Sequence, residues 1–312
     1  MNAKKAGWLF GAIVVIYILA EILLGLTPLA KEMGVTGALV LSEAIMIVPC
    51  FFAWLLSRQG FCDVFGVHKV KPATIPLSIV FTWMLLPLVS CFNVFTLYFT
   101  GNEAVEIFDT LGELPMPVVA LFAAVIAPLV EEWTFRGILY GGIRKNGSAL
   151  QAMLCTAVMF GLFHMNLNQM AYAFALGIFF GALREVSGSI WPSVVCHMTI
   201  NGGSTLLLLL EGTLDEELME EAQAGLDMNA EMISTVLAVM LLMAAFSTAL
   251  ALGLLIRIAK TENALGRLQN ILSGRKREKG RVLNVPMIIG IVLCVGVIIL
   301  ELVVEMLQRN MA

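Results

Sequence analysis

Long apolar runs separated by short polar stretches recur from one end of the chain to the other. A helix needs ~20 mainly apolar residues to cross the hydrocarbon core of a bilayer. Nine segments reach or approach that length: 7–29, 37–56, 74–99, 117–143, 149–165, 168–184, 190–210, 232–256 and 285–307. The pattern predicts an all-α fold, a polytopic membrane helical bundle of about nine transmembrane helices. The fifth and sixth segments are short and joined by MNLNQ, which suits tilted or partly re-entrant helices. The first run follows two lysines and continues through Glu21 to about Leu29 without a small-residue cleavage site, so it is expected to remain as an anchor.

Composition agrees with the pattern. The chain is 59% hydrophobic and 13% charged, against roughly 25% charged in an ordinary soluble domain. Charge placement then sets an orientation. With the N-terminus inside, all of the 19 lysines and arginines except Lys31 and Arg309 fall on the inner side. The acidic stretches GNEAVEIFDTLGE and EGTLDEELMEEAQAGLDMNAE both fall outside. This asymmetry predicts a multi-pass protein of the cell membrane with a cytoplasmic N-terminus. The expected organisation is one membrane domain over 1–312, with a catalytic core at 115–210, an acidic outer loop at 211–231 and a basic inner loop at 257–284. The basic run GRKREKGR beside a span is accounted for by anionic lipid, so no nucleic-acid partner is expected. Six scattered cysteines without a CxxC pair argue against a disulfide framework or a zinc ribbon.

Several polar residues sit in apolar spans, where each charge costs about 2.5–3.5 kcal/mol near the bilayer centre. They concentrate in three spans: Glu131, Glu132 and Arg136 in the fourth, His164 at the end of the fifth, His197 and Asn201 in the seventh. Glu132 and Arg136 are four apart, a spacing that lets them pair along one helix side. Glu131 points about 100° away and lacks that partner. A free carboxylate and an imidazole can hold a water and remove its proton as it attacks a carbonyl. His197 and Asn201, one turn apart, carry donors suited to an oxyanion. Together they describe amide hydrolysis inside a membrane cavity. Two alternatives stand beside it: a transporter with the glutamates in its pathway, and a non-catalytic immunity or scaffold protein. Glu21, Glu43, Glu301 and Glu305 also lie in or near spans and show that not every intramembrane acid belongs to this constellation. Phe160 reads as packing, and Gly137/Gly141 and Gly177/Gly181 as close helix contacts.

The segments EEWTFR (131–136), FGLFH (160–164) and HMTIN (197–201) resemble the EExxxR, FxxxH and HxxxN motifs of the CPBP or Abi family. These are the type II CAAX prenyl endopeptidases and the bacterial bacteriocin-processing and immunity proteins. The resemblance covers roughly 115–210. It implies an intramembrane endopeptidase in which Glu131 is general base, Glu132 pairs with Arg136, His164 helps hold the water, and His197 and Asn201 stabilise the oxyanion. It implies a peptide or membrane-protein substrate reached near the inner leaflet; the family's name is no statement about prenylation here. The family has been described both as metal-free and as zinc-dependent. The metal-free reading is favoured; a zinc site would draw on Glu131, His164 and His197. Oligomeric state is left open.

Overall fold

The computed structural model describes residues 1–97, 100, 114–211, 230–274 and 280–311. The acidic stretch 101–113, most of the acidic loop 211–231 and the basic residues 275–279 lie outside the described residues. What is described is helical, with no strand among the described residues. The helices are α1 (Ala3–Leu26), α2 (Leu29–Ser57), α3 (Phe61–Phe65), α4 (Thr74–Leu97), α5 (Met116–Asn146) and α6 (Ala149–Phe163). They continue with α7 (Leu167–Ser187), α8 (Trp191–Glu211), α9 (Ala230–Thr261), α10 (Leu265–Leu272) and α11 (Val285–Met311).

Each of the nine expected spans corresponds to a helix, so nine stands as an approximate count. Among the described residues seven helices are long and apolar enough to cross a membrane: α1, α2, α4, α5, α7, α9 and α11. The fifth expected span, α6, has only 15 residues. The basic inner loop expected at 257–284 is partly helical, since α9 runs on to Thr261 and α10 follows as a short amphipathic helix with Ile271 buried.

Helix α7 is the centre of the bundle. Its span is 61% buried, whereas the other six are buried by a third or less. It packs on α4, α6, α8 and α10, while α1 and α11 pair along the outside. Close approach depends on glycine. A Cβ on Gly177 of α7 would stand 2.8 Å from the Ala157 Cα of α6, and one on Gly161 of α6 would stand 2.8 Å from the Met170 carbonyl oxygen of α7. By contrast Gly253 of α9 has nothing within 4 Å. Gly177→Ala is therefore expected to cost about 1–3 kcal/mol by forcing the two helices apart. Gly253→Ala should leave the unfolding midpoint in detergent where it is.

Helix α5 is not a uniform α-helix. Two π-helical segments, Phe122–Ile126 and Trp133–Leu139, flank the α-helical turn Ala127–Glu132. Pro128 lies near the start of that turn, just past the first π segment. There its missing N–H costs little, because the widened turn has already released the preceding helical bonding. Helices interrupted by π turns often mark functional positions.

Candidate active site

Glu131 and Glu132 sit at the end of the α turn of α5, and Arg136 lies one turn on in the second π segment. Arg136 Nη1 is 2.9 Å from Glu132 Oε1, and both side chains are fully buried. The guanidinium lies over the Phe160 ring of α6 at 4.1 Å and near the Phe180 ring of α7 at 5.2 Å. The pair thus sits between aromatic faces, which suits a planar, weakly hydrated cation.

His197 of α8 closes the arrangement. Its Nδ1 is 3.3 Å from Glu132 Oε1 and its Nε2 is 3.6 Å from Glu131 Oε2. Glu132 faces the Arg136 cation as a carboxylate, which only accepts, so His197 Nδ1–H donates to it. Nε2 then faces the other carboxylate. Phe160 and Phe180 also hold the imidazole, with ring centroids 5.7 and 5.6 Å away. Glu131 is therefore not left without a neighbour, as helical spacing alone suggests: the partner comes from another helix.

His164 caps the C-terminal end of α6. Its Nδ1 is 2.9 Å from the Phe160 carbonyl oxygen. A carbonyl only accepts, so Nδ1 carries the proton and Nε2 of the neutral ring is left as an acceptor. The ring stands edge-on to Phe160 at 5.0 Å and within electrostatic reach of His197. Asn201 lies one turn beyond His197 and donates from Nδ2 to the Ala123 carbonyl oxygen at 3.0 Å. Ala123 belongs to the first π segment. The second is bound in the same manner, for Arg184 Nε of α7 donates to the Arg136 carbonyl oxygen at 3.0 Å.

Of the six expected residues, Glu131, Glu132, Arg136 and His197 form one contact network. His164 joins it through the shared Phe160 ring, and Asn201 sits to the side on the α5 backbone. One participant escaped the reading of the sequence: Phe180, within GIFFG, gives no signal apart from its aromatic character. Below the site, Tyr140 Oη donates to Glu185 Oε2 at 2.6 Å and Arg144 Nη2 to Glu185 Oε1 at 3.1 Å, tying α5 to α7.

The zinc set considered from the sequence is not assembled. Among the described residues no three His, Cys, Asp or Glu side chains are grouped as ligands. Both His197 nitrogens already face carboxylates, and His164 Nδ1 is taken by its own helix.

Residues 113–203, less than a third of the chain, match the family described as "Type II CAAX prenyl endopeptidase Rce1-like". Over 95 residues the chain is 26% identical to the Bacillus subtilis (strain 168) protein described as "Putative membrane peptidase YdiL". That match spans 30% of this chain and 38% of the relative. No solved structure matches the chain significantly. The three motifs lie inside the matched stretch, on the helices that bring the buried glutamates, arginine and histidines together. The segment that carries them is similar to the type II CAAX prenyl endopeptidases.

Proposed function

We propose that the protein is an intramembrane endopeptidase that hydrolyses a peptide bond near the inner leaflet with water activated by Glu131 and His164. The observation that carries this reading is the His197 bridge. One imidazole from α8 faces both adjacent glutamates of α5 in a setting where unpaired charge is costly. Glu132 is consumed in holding Arg136 and His197, which leaves Glu131 as the carboxylate available to a water.

The chemistry follows from the donors and acceptors present. His164 Nε2 accepts one hydrogen of the water and Glu131 accepts the other. As Glu131 takes its proton, the water oxygen bonds to the carbonyl carbon and the carbonyl π pair moves onto oxygen. Asn201 has a second N–H beyond the one given to Ala123, and that donor serves the oxyanion, while His197, its Nδ1–H given to Glu132, orients the two carboxylates. Glu131 then passes its proton to the leaving nitrogen as the C–N bond breaks. One water is consumed, and a carboxyl and an amine are formed. The lysine and arginine asymmetry supports a cytoplasmic N-terminus, which puts the motif residues in the inner half of the membrane. A peptide or membrane protein is the substrate class.

The test is a comparison of protein termini in membranes from cells expressing wild type or Glu131→Gln at matched abundance. Termini present with wild type and absent with the variant are expected, and they would identify substrates directly. If no terminus differs while both proteins are folded, the endopeptidase reading fails and a non-catalytic immunity or scaffold role takes its place.

A further inference from the structure

Helices α1 and α2 leave a trough between them, at the end where α1 begins and α2 stops. Its volume is about 900 Å³, within the ~300–1,000 Å³ of sites that take small molecules. From α1 it is lined by Lys5, Trp8, Ala12 and Ile16, three or four residues apart and so on one helix face. From α2 it is lined by Phe52 and Leu56, again four apart. Trp8, Phe52 and Leu56 are more than half exposed.

The mouth of the trough is polar and is built from three helices. The Ala3 N–H of α1 donates to Asn146 Oδ1 at the end of α5, at 3.0 Å. A Cβ on Gly142 of α5 would stand 3.0 Å from the Ala6 Cβ of α1. This close approach brings Lys145 of α5 to the same mouth as Lys5. Beyond the end of α2, Gln59 is fixed in place: its N–H donates to Ser57 Oγ at 3.2 Å, and its carbonyl accepts from Trp54 Nε1 at 3.1 Å. Among the described residues no Asp or Glu lines the trough.

Charge and length together select the occupant. Two lysines and no acid at one end, with apolar walls beyond, complement an amphiphile that has a negative head. From Lys5 to Ile16 the trough follows α1 for about 16 Å, half of the ~30 Å hydrocarbon core. It is one leaflet deep, which fits a lipid and not a segment that crosses the membrane. The lysine end is the one that the basic asymmetry supports as cytoplasmic, and basic pockets between helices on that side take anionic head groups. We propose that the trough binds one anionic phospholipid of the inner leaflet, its phosphate held by Lys5 and Lys145 and an acyl chain lying along Trp8, Ala12 and Phe52. This site is separate from the buried glutamates and does not rest on the proposed endopeptidase activity.

The experiment is native mass spectrometry of the full chain released from a neutral detergent, after titration with dioleoyl phosphatidylglycerol or with the zwitterionic dioleoyl phosphatidylcholine. Wild type is expected to hold one phosphatidylglycerol about tenfold or more tightly than one phosphatidylcholine. In Lys5→Gln/Lys145→Gln that preference should vanish, with phosphatidylglycerol affinity falling about 10–30-fold. Lys4→Gln is the control, because Lys4 neighbours Lys5 on α1 but points ~100° away and does not line the trough. It should leave the affinity unchanged. Ala12→Trp fills the trough without touching its charge and should weaken both lipids; should it fail to fold, Phe52→Ala strips the apolar wall to the same effect. The proposal is overturned if the two lipids bind alike, or if Lys4→Gln costs as much as losing both trough lysines, since a general surface field would then account for the binding. Binding that survives the change to the apolar wall overturns it too, for the chain would then lie elsewhere.

Discussion

Arg136→Met is expected to unfold the protein or leave little of it to purify. Glu132 would remain as a fully buried carboxylate facing only His197. Removing one member of a buried ion pair costs about 3–5 kcal/mol, against a total stability of roughly 5–15 kcal/mol. Arg136→Lys should not rescue it, because the planar group that lies over Phe160 and near Phe180 is lost along with the fixed donor geometry. The double variant Glu132→Gln/Arg136→Met should recover much of the loss, since it leaves no orphaned charge. Thermal unfolding of the three variants in one detergent, read by near-ultraviolet circular dichroism, checks this order. A fully stable Arg136→Met would show that the pair is dispensable to the fold.

Glu131→Gln should act in the opposite sense. Hydrolysis at a junction found by the terminus comparison is expected to fall by about 10²–10⁴-fold with loss of the general base. The unfolding midpoint should hold steady or rise. The wild-type carboxyl has Glu132 as its adjacent acidic neighbour and its Oε2 lacks a hydrogen bond, so a neutral isostere relieves repulsion. Losing activity while keeping stability is the signature of a residue held against its own comfort for chemistry. A variant that loses both together would mark Glu131 as structural.

The Glu132–Arg136 pair was legible because both residues stand on one helix at a spacing of four, and local geometry carries the answer. The partner of Glu131 was not, because it depends on which face of α8 meets α5, a tertiary fact. The π segments have no periodic signature of their own. They are visible only through their consequences, the Ala123 and Arg136 carbonyls that Asn201 and Arg184 reach from neighbouring helices. Apolar length found the helix of every expected span, but it read α6 as longer than its 15 residues and took α3 and α10 for loop.

The shortness of α6 has a consequence for the lipid around it. At ~1.5 Å per residue, 15 residues span about 22 Å, while the hydrocarbon core is ~30 Å thick. Its last helical residue, Phe163, is followed at once by His164 and the polar turn Met165–Asn166, with Met165 in the left-handed conformation. Hydrophobic mismatch of this size is met by local thinning of the bilayer or by polar groups drawn inward. The proposed site of hydrolysis thus lies at the end of the shortest of the nine expected spans, where a hydrated peptide bond would have the least hydrocarbon to cross.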